Sequence, residues 1–273
     1  MNKNRYKLLL VDIDGTMLNR NGTISAEDRD AITRAIGAGI QVSLSTGRVM
    51  VASLGIIHQL SLDGCHIFFD GALVSDPADG AEVYVEPISQ ESLRQMIEFA
   101  HQQEINLELQ STASHFIERE TWASDIRRRF FGLESTIVDF NGVWAKERII
   151  KGAMTVRSAE DRAKADVFYR HFAGSLSFSW TKTPAYPEID FINVLAPQVS
   201  KGKALEKLVS HLGISSAEVM AIGDGPNDIS LLSKAGLAIA MGNALAEVKA
   251  VADYVTLDVE LSGVAAALEK FLL

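Results

Sequence analysis

The chain has one cysteine in 273 residues, so it cannot close an internal disulfide. Cys65 also falls in the apolar run from Cys65 to Phe69, where a buried core thiol is expected rather than a nucleophile. Long hydrophobic runs are missing: nothing approaches the ~20 residues of a membrane helix, and the first apolar stretch is too short for a secretory signal. A cytoplasmic protein with no membrane partner is therefore expected. A basic surplus is missing as well. The formal net charge is −9, and residues 82–193 hold 13 basic and 17 acidic side chains, so neither part of the chain is a basic module. Phosphate backbones attract basic faces, which excludes nucleic acid as a routine partner. The histidines at 58, 66, 101, 115, 171 and 211 show no ligand spacing, which argues against zinc.

What the chain does have is an apolar strand that ends in acid. Leu8 to Val11 run into Asp12-Ile13-Asp14, and the chain breaks at Gly15. Side chains two apart on a strand share a face. At 4 Å and an effective dielectric near 20, two such charges repel by about 4 kcal/mol, so a polar turn and a cation site are both readings of this stretch.

The rest follows an alternating rhythm. Ser25 predicts an N-cap for a helix over 26–38, closed by Gly39. A strand over 40–44 leads into Ser45-Thr46-Gly47-Arg48, a helix over 50–60 follows, and a strand over 65–69 ends in Asp70-Gly71-Ala72. Strand, helix, strand in this order predicts a parallel sheet, with ligands at the strand ends. From about Ala81 the pattern changes. Strands are expected at 82–85, 106–110, 115–118, near 137, at 149–156 and at 176–180, with helices over 90–102, 121–131 and 160–172. This reads as a separate α+β unit. It holds the tryptophans at 122, 144 and 180, read as core and surface anchors, and Arg127-Arg128-Arg129, read as a solvated helix face. Near Val199 the first rhythm returns: a helix over 201–212, a strand over 219–222 that stops at Gly223-Asp224-Gly225-Pro226-Asn227-Asp228, then a strand over 237–240 and two closing helices.

Four pieces of chemistry sit at these breaks. Asp12 and Asp14 supply two carboxylates. Thr46 offers a hydroxyl and, with Gly47, backbone amides at an expected helix start, which suits an anion. Lys201 opens a helix as a point charge for phosphate. Asp224 and Asp228 add carboxylates, with Asn227 as a neutral donor. Each alone is weak, and the 223–228 loop matches neither a calcium loop nor a dinucleotide glycine pattern.

Together they resemble the haloacid dehalogenase-like hydrolases, in particular the Cof-type phosphatases. The matching stretches are DIDGT at 12–16, STGR at 45–48, the lysine of SKGKAL, GDGPND at 223–228 and the closing 235–256 segment. Asp70 departs from the family pattern, in which asparagine is usual. The resemblance implies an α/β fold: a Rossmann-like parallel-sheet core over 1–80 and 194–273, with an inserted α+β cap over 81–193. It implies a phosphatase of small phosphorylated metabolites, sugar phosphates or phosphorylated cofactors, that uses Mg²⁺ and an aspartyl-phosphate. Asp12 is then the nucleophile and Asp14 the proton carrier. Thr46, Gly47, Arg48, Gly71, Lys201 and Asn227 would bind substrate, and Asp12, Asp14, Asp224 and Asp228 are the metal candidates. Asp228 orients either Lys201 or a metal-bound water, and Arg48 either touches substrate or braces its loop. The implied cap is a lid with hinges near 72–81 and 193–198, on a monomer or weak homo-oligomer. A phosphomutase using the same aspartyl-phosphate and a non-catalytic binding protein are the competing readings.

Overall fold

The computed structural model describes residues 5–143 and 146–273. Trp144 lies outside them.

The interior strand β1 (Leu8–Val11) has all four side chains fully buried, as a strand covered on both faces must. Helix α1 (Ala26–Gly37) follows, its Ser25 Oγ accepting the Asp28 amide at 3.0 Å, and leads to β2 (Gln41–Leu44), parallel to β1. A 3₁₀ turn over Val51–Ser53 precedes α2 (Leu54–Gln59), then β3 (His66–Phe68). The sequence rhythm predicts this strand as the third of the parallel sheet. It touches the end of β2 through one parallel bridge, Ser45 to Ile67, and otherwise turns into an antiparallel sheet with β4 (Leu73–Ser75) and β5 (Glu82–Val85).

The next elements are α3 (Gln90–Gln102), β6 (Glu108–Gln110), β7 (His115–Ile117), α4 (Trp122–Phe131), β8 (Ser135–Ile137), α5 (Phe140–Val143), β9 (Lys151–Val156), α6 (Ala159–Phe172), β10 (Ser177–Thr183) and β11 (Tyr186–Leu195). Their strands form one sheet in the order β10-β11-β9-β6-β7-β8. The ten residues of β11 are not foreseen from sequence, because Pro187, Glu188 and Asp190 interrupt the alternation that marks a strand. One face of this sheet, with Leu109, Phe116, Met154, Ile192 and Val194, packs with residues of α3 and α6 into a hydrophobic cluster separate from that of the parallel sheet. Chain direction alternates side chains across a strand, so Glu108, Gln110, Lys151 and Asn193 share the opposite face.

The chain then closes the first layer with α7 (Lys201–Leu212), β12 (Val219–Gly223), α8 (Ile229–Leu232), β13 (Leu237–Ala240), α9 (Ala246–Ala250), β14 (Tyr254–Val255) and α10 (Gly263–Phe271). The all-parallel sheet has the order β14-β13-β12-β1-β2. Its order reverses beside β1: the chain leaves toward β2 and returns to β1's other side as β12. Ligands of such sheets bind at the carboxyl ends of the strands at this point. No helix among the described residues is long and apolar enough to cross a membrane.

Candidate active site

At the reversal point the ends of β1 and β12 and the first residue of α7 converge. The Lys201 ammonium is fully buried and donates to Asp12 Oδ1 and to Asp228 Oδ1, each at 2.6 Å. Burial alone would push Lys201 down, but Asp12 and Asp228 reverse this and hold it above its ordinary value. Asp228 also binds its own loop: its Oδ2 accepts the backbone N–H groups of Asp224 and Gly225, both at 3.0 Å. Asp224 accepts the Thr16 hydroxyl at 3.0 Å. Its close approach to the first loop depends on Gly15, which has φ +88 and where a Cβ would lie 2.3 Å from Asp224 Oδ2.

Ligand oxygens of Asp12, Asp224 and Asp228 lie within 4.8 Å of one another. Burial pushes Asp12 well above the usual carboxylate range, with Asp228 and Asp224 adding to the shift and Lys201 opposing it. Burial and Asp228 push Asp224 up to about 7. Three clustered carboxylates, Asp12 and Asp228 buried and Asp224 half-buried, against one ammonium leave surplus negative charge, and an all-oxygen donor set suits a hard divalent cation such as Mg²⁺. The residues present fit that ion.

Asp14 stands apart from this cluster. Both its carboxylate oxygens are engaged by Arg48, through Nε at 2.8 Å and Nη2 at 2.6 Å. The guanidinium in turn lies 5.2 Å and 5.0 Å from the ring centroids of Phe130 and Phe131, at the end of α4. The expectation of a helix start at Thr46-Gly47 does not hold. The Thr46 amide donates to the Ile67 carbonyl, its hydroxyl accepts the Arg48 amide, and the first helical turn begins only at Val51. Gly71, expected at the substrate, instead allows a close approach: at φ +101, its Cβ would meet the Ser200 carbonyl at 2.2 Å, just before Lys201. Asn227 borders the chamber, but its amide is donated to Asp70 Oδ1 at 2.8 Å.

Above these groups lies a chamber of about 330 Å³, bounded below by Asp12, Asp14, Gly47, Arg48 and Asp224. The mixed sheet forms its other wall, with Gln110, Lys151, Trp180 and Asn193 among the lining residues. Two polar links tie that sheet to the strand ends. Asp70 Oδ2 accepts from Ser179 Oγ and Asn193 Nδ2, each at 2.7 Å, and the Lys151 ammonium donates to the Gly47 carbonyl at 2.8 Å. Burial lowers Lys151 to about 7.

The expectation of a solvated arginine face holds for Arg128 and Arg129 only. Successive helix residues point about 100° apart, and Arg127 faces the sheet, buried and paired with Glu108. Trp180 stacks on Phe178 in the second cluster and also borders the chamber, while Trp122 lies under the Arg157 guanidinium. Gln110, Lys151 and Asn193 are site residues that sequence reasoning misses. The available signal is a polar residue recurring at period two inside apolar strands, as in Glu108-Leu109-Gln110.

The model of the haloacid dehalogenase-like hydrolases matches residues 9–268. Phosphatase YwpJ of Bacillus subtilis is 27% identical over 285 residues, which cover 97% of this chain and 100% of that one. The 5-amino-6-(5-phospho-D-ribitylamino)uracil phosphatase YwtE of the same species is 29% identical, covering 97% and 98%. The solved structure of a haloacid dehalogenase-like hydrolase from B. subtilis superposes with a TM-score of 0.82 at 25% identity, over 98% of this chain and 100% of that one. With the fold, the strand-end residues and these matches in agreement, the chain belongs to the haloacid dehalogenase-like hydrolase family and is an enzyme of that family.

Proposed function

We propose that the protein is a magnesium-dependent phosphatase of small phosphorylated metabolites that carries the phosphoryl group on Asp12 between two half-reactions. The observation that carries this reading is the buried Lys201, held between Asp228 and Asp12, the carboxylate that borders the chamber. Relatives named as phosphatases, one of them for a phosphorylated ribitylaminouracil, support the substrate class.

Asp12 Oδ1 is bound by Lys201, so the carboxylate is oriented with its other oxygen available to attack phosphorus. The new Asp12–phosphorus bond forms as the ester bond breaks, and the leaving oxygen takes a proton from Asp14. Asp14 then takes a proton from the water that attacks the aspartyl-phosphate, releasing phosphate and restoring Asp12. For this cycle Arg48 must exchange its contact with Asp14 for one with the incoming phosphoryl group, a swap its two donor nitrogens suit. Lys201 neutralises charge on Asp12 throughout. Mg²⁺, held by Asp12 and Asp224 with the Asp14 backbone carbonyl while Asp228 orients Lys201, would supply the positive charge that lets an anionic nucleophile meet a phosphate dianion.

Residues 1–80 and 194–273 serve as the catalytic core and residues 81–193 as a cap that keeps water from the phosphorylated aspartate. The compartment that fits is the cytoplasm. The test is phosphate release across a panel of phosphorylated metabolites with Mg²⁺. A ranked set of catalytic efficiencies supports the reading, and no release from any ester, or an isomerised phosphate in place of free phosphate, overturns it.

A further inference from the structure

Gln110 is fully buried, and neither oxygen nor nitrogen of its carboxamide has a hydrogen-bond partner among the described residues. Buried polar side chains are nearly always paired, so each such exception calls for an explanation. Gln110 lines the chamber, and directly opposite it, in register across β6 and β9, stands Lys151. Opposed residues on adjacent strands have Cβ atoms roughly 5 Å apart on one face, close enough to act on a single ligand.

Lys151 is also under-used. In its protonated form it has three donor hydrogens, one of which goes to the Gly47 carbonyl at 2.8 Å. It makes no ion pair among the described residues, whereas its neighbour Arg127 is neutralised by Glu108 and the chamber's Lys182 by Asp190. The polar wall of the chamber therefore holds a carboxamide with both functions free and an ammonium with spare donors.

We infer that Gln110 and Lys151 are the specificity-determining pair of this enzyme, and that together they read neighbouring hydroxyl groups on the leaving group. This inference rests on the phosphatase reading above. The argument is one of complementarity. A carboxamide presents an acceptor and donors at once, and a hydroxyl both donates and accepts, so adjacent hydroxyls satisfy Oε1, Nε2 and the ammonium together. A carboxylate or second phosphate only accepts. It would leave Oε1 unpaired. An apolar leaving group would satisfy none of the three. The link from Lys151 to Gly47 also couples this pair to the loop between Thr46 and Arg48, so the group that reads the leaving group touches the loop beside the reacting phosphate.

The test compares glucose 6-phosphate, ribose 5-phosphate and glycerol 1-phosphate with p-nitrophenyl phosphate, in the wild-type enzyme and in Gln110→Met and Lys151→Met. The wild type should favour at least one hydroxylated ester by kcat/KM. In Gln110→Met the ratio of kcat/KM for that ester to kcat/KM for p-nitrophenyl phosphate should fall about 10- to 100-fold, mostly through KM. Its melting temperature should hold or rise, since an unpaired buried amide is removed. Preference of the wild type for p-nitrophenyl phosphate over all three hydroxylated esters overturns the inference, as does an equal loss on every ester in Gln110→Met. Absence of phosphate release from any ester by the wild type overturns the phosphatase reading instead. If Lys151→Met fails to fold, Gln110→Met decides the matter alone.

Discussion

The Lys201 ammonium lies 2.6 Å from Asp12, which is 189 residues earlier in the chain, and the pair is buried at the junction of β1, β12 and α7. A buried ammonium between two carboxylates is costly to break on one side only, because an uncompensated charge stays behind. Lys201→Met should therefore lose about 3–5 kcal/mol of stability in urea unfolding. Asp228→Asn should lose less, since Asp12 still answers the ammonium. Equal stability of Lys201→Met and the wild type would contradict the pairing.

The surplus of negative charge around Asp12, Asp224 and Asp228 predicts a stability response to Mg²⁺. An ion that binds only the folded state adds about 2.7 kcal/mol at a hundred times its Kd. Calorimetry in EDTA and in millimolar MgCl₂ should show a clear rise in melting temperature, and Asp224→Asn should abolish most of it. An unchanged melting temperature in the wild type would remove magnesium from the account.

Glu108 predicts the acid behaviour. Burial alone would raise its carboxyl, but Arg127 and His115 hold it down to about 2, against an ordinary value of 4.5. Between these values the unfolded chain binds more protons than the folded one, so stability rises with pH there. The contribution is complete above about 4.5 and is lost as pH falls through about 2; it amounts to roughly 3 kcal/mol. Glu108→Gln should show a flatter stability profile than the wild type between pH 2 and 4.5 in acid titrations followed by circular dichroism. A profile as steep as that of the wild type would contradict this.

Asp70 joins the two layers, its carboxylate accepting from Ser179, Asn193 and Asn227. Asp70→Ala leaves these donors without their acceptor, at a cost of about 1–3 kcal/mol for each that stays unsatisfied. Hydrogen exchange should speed up across 177–195. Asp70→Asn keeps one acceptor oxygen and should fall between Ala and wild type. Unaltered exchange in Asp70→Ala would mean that the layers dock without this link.

What was legible in the sequence is what local chemistry marks. Asp12 and Asp224 each follow an apolar run, and Lys201 opens a helix, so each stands out against its own neighbours. Pairings across the fold leave no such mark. Asp14 reads as a proton carrier and metal candidate, and Arg48 as a group that either touches substrate or braces its loop; only the geometry joins them to each other. Arg127 is hidden in a run of three arginines, because a run does not reveal which helix face is buried. Gln110 and Lys151 become a pair only through the register of two strands whose partners lie 41 positions apart. Strand β11 was lost to its own Pro187 and acidic residues, which mimic a loop.

The central claim is that Asp12 carries the phosphoryl group. The direct measurement is mass spectrometry of the peptide containing Asp12 after acid quench of the enzyme in steady turnover, alongside phosphate release by Asp12→Asn. The account predicts a peptide heavier by one phosphoryl group in the wild type, and in the variant a normally folded protein whose phosphate release is at background. An unmodified peptide in the wild type, together with substantial turnover by Asp12→Asn, would contradict it.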